Sequence, residues 1–259
     1  MDMPKQSRLT LCIYSKKNRE KIRFRLDRIK RHPRSKASKY DRIQSLLANG
    51  VPINSVVDVG VQRCTQELDE AIPDKHHHLF EPSDIWEDSI EMNYRSVDHT
   101  FYRVALGETN DVAWFVTISL HNDGVATHSS IQAAPQVTDG KTILDCHQLD
   151  VRTLDSYEGT FGTDFLLKID VDGSEMSILR GAKNCLSQAS VVIIEADYSS
   201  VTERGFYLEG AGFQLIDIID RVMYGEVLWQ CDLVYLRNDL MSERLRPPMF
   251  DRKYWKPLP

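Results

Sequence analysis

The sequence predicts an α/β fold built on a doubly wound, mostly parallel sheet. Three observations carry that reading. Short apolar runs alternate with amphipathic stretches along most of the 259 residues, the order that lays parallel strands under covering helices. The segment Phe165 to Ala182 begins as a near-continuous apolar run, then discharges Asp170, Asp172 and Glu175 around Gly173 before helical spacing resumes at Met176, Leu179 and Ala182. A strand buried on both faces reads in that way. Earlier, Val56-Val57-Asp58-Val59-Gly60 ends another apolar strand where a helix opens. Carboxylates at such strand-to-helix joints lie at the carboxyl edge of the sheet, where open α/β folds bind their ligands.

The elements follow in order. Lys39 to Asn49 reads as a short helix with Ile43, Leu46 and Leu47 inward and Gly50 as its stop. Val51-Pro52 breaks the chain before a first strand, Ser55 to Val59, and a helix follows from about Gln66 with Thr65 as its cap. Further strands are expected from His77 to Phe80, closed by Glu81-Pro82, and from Thr100 to Leu106, closed by Gly107. Residues 112–154 read as β-rich: Trp114, Phe115, Val116 and Ile118 precede an Asn122-Asp123-Gly124 turn and a polar loop through Ser129-Ser130. The return from Ile143 to Leu154 leads into the Phe165 strand. A helix is expected over 174–186, then a strand from Val191 to Ile194 closed by Glu195, and another helix. Two late strands, Phe213 to Ile219 and Asp232 to Leu236, form an antiparallel hairpin at the sheet edge. The expected organisation is a basic helical N-terminal extension (1–50), a main domain (51–240) and a C-terminal tail (241–259).

Composition bounds the class. Residues 1–50 carry 15 Lys+Arg against 4 Asp+Glu, whereas the remaining 209 carry 17 against 34. The basic excess is densest from Lys16 to Lys36, with Ile22, Leu26 and Ile29 on one helical stripe. It reads either as a docking arm for an anionic surface or as a solvated helix lying on the acidic body. No aromatic stacking surface accompanies it, which speaks against nucleic acid. Five cysteines, at 12, 64, 146, 185 and 231, are odd in number and lack metal or disulfide spacing. Together with the absence of a signal-peptide core and of a long apolar span, they point to a cytoplasmic protein without a transmembrane segment.

The loop after the first strand selects among nucleotides. Glu81 follows Gly60 by 21 residues at the end of the second strand, where a carboxylate can accept hydrogen bonds from both hydroxyls of an adenosine ribose. That suits NAD and S-adenosylmethionine equally. A pyrophosphate needs the close backbone approach of a G-x-G-x-x-G loop, and here the sequence is Gly60-Val61-Gln62-Arg63-Cys64-Thr65. One glycine and bulky neighbours favour S-adenosylmethionine, which has no phosphate.

At the same carboxyl edge, the Phe165 and Val191 strands are expected to be neighbours and to deliver Asp170, Asp172 and Glu195 into one region. Carboxylates so close do not all ionise: one pKa rises, a proton is shared, or a cation such as Mg²⁺ intervenes. A raised carboxylate is a usable general base. Lys168 shares a face with Asp170 and reads as an internal ion pair or as an acceptor contact. Glu175 is favoured in a first helical turn by the helix dipole and reads as that or as an acceptor contact. His128, beside Ser129 and Ser130, reads as a base or contact in a covering loop, or as a solvated residue. His76-His77-His78 alternates across a strand and reads as a strand entrance, not a metal site; Asp155-Ser156 reads as a turn or cap.

These residues resemble the FkbM-type methyltransferases over about Val56 to Arg237. The most specific piece is LKIDVDGSE...LRGA, with VDVG, LFEP (79–82), VALG (104–107), TLDS (153–156), IIEAD (193–197) and a late GFQLIDI...CDLVYL in order. The resemblance implies a Rossmann-like fold of the class I methyltransferase type and O-methylation of a sugar, glycolipid or other natural product from S-adenosylmethionine. It further implies that Asp58, Gly60, Val61 and Gln62 lie at the methionine end of the cofactor, Glu81 at the ribose and Ala105 and Leu106 near the adenine. It implies that Asp170, Asp172 and Glu175 face the acceptor. The sequence departs from the family pattern at GVQRCT, where a glycine-rich start is usual, and at Asp172, where Glu is more frequent. Two other readings stay open: a non-catalytic module that holds an adenosine ligand or a partner, and an NAD-dependent oxidoreductase.

Overall fold

The computed structural model describes residues 38–119, 128–135, 142–242 and 245. In chain order it forms α1 (Lys39–Ala48), β1 (Ser55–Val59), α2 (Gln66–Ala71), β2 (His76–Phe80), α3 (Glu87–Tyr94) and β3 (His99–Tyr102). Four strands follow: β4 (Ala105–Leu106), β5 (Asp111–Ser119), β6 (His128–Gln132) and β7 (Thr142–Arg152). The remainder is β8 (Phe165–Ile169), α4 (Glu175–Arg180), α5 (Lys183–Gln188), β9 (Ala189–Asp197), α6 (Val201–Gly210), β10 (Phe213–Tyr224) and β11 (Val227–Arg237).

The strands make a seven-stranded sheet in the order β3-β2-β1-β8-β9-β11-β10 and a four-stranded sheet in the order β4-β7-β5-β6. In the larger sheet only β11 runs against its neighbours. The chain winds outward from β1 through β2 to β3, then restarts beside β1 with β8 and winds the other way. The crevice at this reversal, outside the carboxyl ends of β1 and β8, is where such sheets bind ligands. Strand alternation splits the core in two. Val57, Val59, Leu167, Ile169, Val192 and Ile194 face one layer with Ile178, Leu186 and Leu208. Val56, Leu166, Val191 and Ile193 face the other with Ile43, Leu46 and Leu68.

Several sequence expectations need correction. Thr100 to Leu106 is not one strand: the chain leaves the large sheet after Tyr102, and Ala105–Leu106 pair with β7 instead. The helix expected over 174–186 breaks at Gly181 into α4 and α5, because a Cβ there would lie 2.1 Å from the Gly107 carbonyl oxygen. The late strands are longer than their apolar segments, since the hairpin continues to Tyr224 and Val227. Ser129 and Ser130 lie in β6, paired with Thr117 and Val116 of β5, not in a loop. The Asn122-Asp123-Gly124 turn, the Lys16–Lys36 stripe and most of the tail lie outside the described residues.

Helix α1 belongs to the packed body. Ser38 caps it by accepting from the Asp41 N–H at 3.3 Å, and Ile43 and Leu46 are fully buried. Lys39 bonds Asp220 of β10 at 2.9 Å and pairs with Asp232 of β11, while Arg42 pairs with Asp217. Burial opposes the Lys39 charge, but Asp232 and Asp220 outweigh it and raise the Lys39 pKa. The last residues of the 1–50 span thus pack with the sheet.

Gly60 fixes the crossing at the reversal point. Its φ is +84°, and a Cβ built there would lie 1.8 Å from the Asp170 carbonyl oxygen. Only glycine lets the β1 loop and the β8 loop touch.

Gly60→Ala is therefore expected to lose at least about 2 kcal/mol of stability and to bind no cofactor; a melting curve close to wild type would contradict this packing. Deleting residues 1–36 is expected to leave a cooperative melt. Deleting 1–50 removes Ile43 and Leu46, each contributing about 1.5–3 kcal/mol by burial, and is expected to abolish cooperativity in the same calorimetric measurement.

Candidate active site

Asp58 and Lys168 are register partners on adjacent strands β1 and β8, so their side chains meet on one face. The Lys168 ammonium is buried 3.1 Å from Asp58 Oδ1 and 3.5 Å from Asp170 Oδ2, and it donates to the Gly60 carbonyl at 3.0 Å. Burial favours the neutral amine, yet Asp58 and then Asp170 outweigh it and hold the Lys168 pKa above its usual value. Asp58 also accepts from the Tyr94 hydroxyl at 3.4 Å, and that hydroxyl accepts from the Thr65 N–H at 3.1 Å. Helix α3 thereby braces the loop.

Above this pair lies a cavity of about 430 Å³, in the size range of small-molecule sites. Gly60 through Cys64 form one wall, with Phe80, Glu81 and Pro82 beside them. Asp170, Val171, Asp172, Ser174 and Ile178 form the second. Val104, Ala105, Leu106, Phe115, Ser129, Ser130 and Ile131 close it from the smaller sheet. The Phe80 ring is stacked on Tyr102 at 4.5 Å, which holds it in place beside the cavity. Gln62 and Asp172 have φ of 51° and 52°. Such a left-handed backbone in non-glycine residues is strained and gathers at ligand sites.

Glu81 is buried in the cavity wall and accepts from Gln62 N–H at 3.0 Å with one oxygen and from Ser83 N–H at 2.9 Å with the other. Burial pushes its pKa up to about 7, against the pull of those two amides. Each oxygen keeps a free lone-pair direction, as bidentate acceptance from a diol requires. Glu195 lies at the end of β9, next to β8, and accepts from Gln230 Nε2 at 2.7 Å. Burial and the neighbouring charge of Asp170 push Glu195 up to about 8, with a hydrogen bond between the two. Burial beside Asp170 thus disfavours the charged form of Glu195.

The structure brings Gly60, Val61, Gln62, Glu81, Ala105, Leu106, Asp170 and Asp172 into the cavity wall. Asp58, Lys168 and Glu195 stand behind it. Glu175 turns inward: it accepts from the Val171 and Gly173 N–H groups at 3.3 and 3.1 Å and from Arg204 at 2.7 Å, fully buried. The His128 side chain lies outside the described residues. His76, His77 and His78 separate across β2, with His77 bonded to the Ile72 carbonyl and His78 to Tyr102. Asp155 caps α5 through the Asn184 and Cys185 N–H groups. Sequence reading missed Arg63 and Trp86, which meet at 4.9 Å from guanidinium carbon to ring centre. It also missed Phe115 and Ile131, since nothing local shows that a second sheet folds back over the first. Among the described residues no three His, Cys, Asp or Glu side chains are grouped to hold a metal ion, and no helix is long and apolar enough to cross a membrane.

A sequence profile for the methyltransferase FkbM domain matches residues 58–226. No curated protein matches the chain. Among solved structures, precorrin-6y C5,15-methyltransferase from Geobacter metallireducens GS-15 shares 10% identity over 80% of this chain and 93% of that chain, with a TM-score of 0.40. Magnesium protoporphyrin IX methyltransferase from Synechocystis PCC 6803, with bound SAM, shares 11% over 76% and 77%, TM-score 0.42. Ribosomal protein L11 methylase from Lactobacillus delbrueckii subsp. bulgaricus shares 13% over 77% and 79%, TM-score 0.41. The profile match runs from Asp58 of the first strand into the late hairpin, well over half of the sequence, and takes in every described wall of the cavity; on that ground the chain belongs to the FkbM methyltransferase family.

Proposed function

We propose that this S-adenosylmethionine-dependent methyltransferase methylates a hydroxyl oxygen on a sugar, glycolipid or other natural product, with Asp170 as the general base. The observation that carries this reading is the place of Asp170 in the cavity wall, with the Lys168 ammonium 3.5 Å behind it and Glu195 near the end of the adjacent strand β9. A hydroxyl must lose its proton as it becomes methylated, and a carboxylate within reach takes it. Glu195 is pinned by Gln230 and burial raises its pKa, so of the two acids it holds a proton more readily and leaves Asp170 as the acceptor. Lys168 fixes Asp170 from behind without entering the cavity. Asp172 lines the acceptor side, and Glu175 with Arg204 ties down the loop that carries both acids.

The residues present suit the cofactor. When bound, S-adenosylmethionine supplies an electrophilic methyl group on a sulfonium. Glu81 would accept from the ribose hydroxyls, the Gly60–Gln62 backbone would meet the amino-acid end, and Ala105 and Leu106 with Phe80 would flank the adenine. The chain's contribution to rate is then alignment of the acceptor and removal of its proton.

Two measurements test these roles. Asp170→Asn is expected to lower methyl transfer about 10²–10⁴-fold while leaving S-adenosylhomocysteine binding near wild type. Glu195→Gln mimics the protonated acid and is expected to keep turnover at neutral pH. Assays on an acceptor found among hydroxylated sugars and glycolipids, with and without chelator, decide. Loss of activity on chelation, with both variants inactive, would instead assign the acids to a cation.

Calorimetry addresses Glu81. Its pKa of about 7 in the free protein means that the carboxylate must give up a proton before it accepts from both ribose hydroxyls. S-adenosylhomocysteine affinity is thus expected to rise between about pH 6 and 8 and then level off. Glu81→Ala is expected to flatten that dependence and to weaken binding by about 1.5–3 kcal/mol at the higher pH. A flat wild-type profile would remove Glu81 from the ribose.

A further inference from the structure

Ten large apolar side chains are exposed among the described residues, and seven of them lie on β10, β11 or just after β9. At the hairpin end, Tyr224 is 81% exposed, Val227 64%, Met223 53% and Trp229 50%. The Trp229 ring lies 6.2 Å from both Tyr224 and Tyr198, the latter 63% exposed. The pairing of β11 with β9 ends at Gln230 and Asp197. Residues 227–229 therefore continue past the carboxyl edge of the sheet, by about 10 Å at the rise of an antiparallel strand. This apolar, aromatic tip projects on the side where the cavity opens.

The described chain begins on the same side, at Ser38. Lys39 is bonded to Asp220, next to Ile219, whose register partner Asp232 lies opposite Glu195 near the carboxyl edge. One turn later Arg42 meets Asp217, farther down β10. Helix α1 thus runs from the carboxyl edge toward the amino edge, and the chain joins the body at Ser38 beside the hairpin. The residues before it, 1–37, carry 13 Lys+Arg against 3 Asp+Glu.

We propose that the β10–β11 tip and residues 1–37 together dock the protein on an anionic lipid surface. Tyr and Trp with aliphatic neighbours fit the headgroup–acyl boundary, and basic residues add attraction to anionic headgroups. Neither signal alone holds a protein firmly, while two together do. Met223 and Val227 set aliphatic surface among the aromatic rings, which suits the acyl boundary and adds nothing to base stacking. A second copy is disfavoured along the open edge of β10, whose register with β11 shifts three times; bulges of this kind twist an edge away from pairing. The tip lies along the surface, leaving Glu226 of the turn in the hydrated headgroup layer. Docking on this side turns the cavity mouth toward the bilayer, and it stands whether or not the acceptor is itself a lipid.

The test is sedimentation of the full chain with phosphatidylcholine–phosphatidylserine vesicles and with pure phosphatidylcholine vesicles. Wild type is expected to bind the former and not the latter, and to be released by salt. A Tyr224→Ser, Trp229→Ser double variant and the deletion of residues 1–36 are each expected to bind at least about tenfold more weakly. Thermal melts of both variants separate lost docking from lost folding, and salt release of the wild type reads the electrostatic part without any variant. No binding of wild type to the anionic vesicles overturns the proposal. So does full binding by the folded double variant, which would leave the tip without a role. A wild-type dimer that the double variant splits, read by light scattering, or retention on single-stranded DNA in place of vesicles, assigns the surface to another occupant and also overturns it.

Discussion

The buried Lys168 ammonium is the contact on which this molecule depends. It lies between Asp58 and Asp170, the carboxylates that end two adjacent central strands, and it also holds the Gly60 carbonyl. Without it, Asp58 would be left fully buried and uncompensated, and removing one partner of such a pair costs about 3–5 kcal/mol. The same cation gathers the loop after β1 and the loop after β8 at the point where the winding reverses. Those two loops are the cavity's main walls. Fold and site therefore share one electrostatic joint, and the glycine beside it permits the contact that the charge demands.

Much of this was legible in the sequence because the relevant signals are local. Five buried residues in a row at Phe165–Ile169, followed at once by acids and a helical stripe, admit one placement at the sheet edge. The Glu81 position follows from its strand end. What stayed hidden depends on partners distant in sequence. Glu175 looks like an ordinary first-turn acid, and only the fold brings Arg204, 29 residues later, onto it. Lys39 and Arg42 read as part of a basic arm until β10 and β11 supply Asp220, Asp232 and Asp217. The smaller sheet was read as β-rich, but Arg103-Val104 carries no mark that the chain changes sheets there. Phe115 and Ile131 were thus invisible as cavity residues.

Charge placement at the site has its own logic. One face of the central strands carries Asp58, Lys168, Asp170 and Glu195, where the opposite face carries Val57, Val59, Leu167, Ile169, Val192 and Ile194. Burial raises the Glu195 pKa and so disfavours a further negative charge at this acidic edge. Such an edge can accept a proton from a neutral hydroxyl yet does not gather strong repulsion against itself.

The backbone contact between Gly107 and Gly181 bears on how this architecture varies. Gly107 N–H bonds the Arg152 carbonyl at 2.9 Å, Asp155 N–H bonds the Gly181 carbonyl at 3.0 Å, and Asp155 also caps α5. The outgoing and returning ends of the smaller sheet are thereby clamped at one spot on the α4–α5 joint. The described strands between residues 108 and 150 hang from that clamp as a cassette. Its strands can lengthen, shorten or change their side chains without moving a residue of the central sheet. The wall that Phe115, Ser129, Ser130 and Ile131 supply can diversify on its own, while the wall beside Gly60 and Glu81 stays constant.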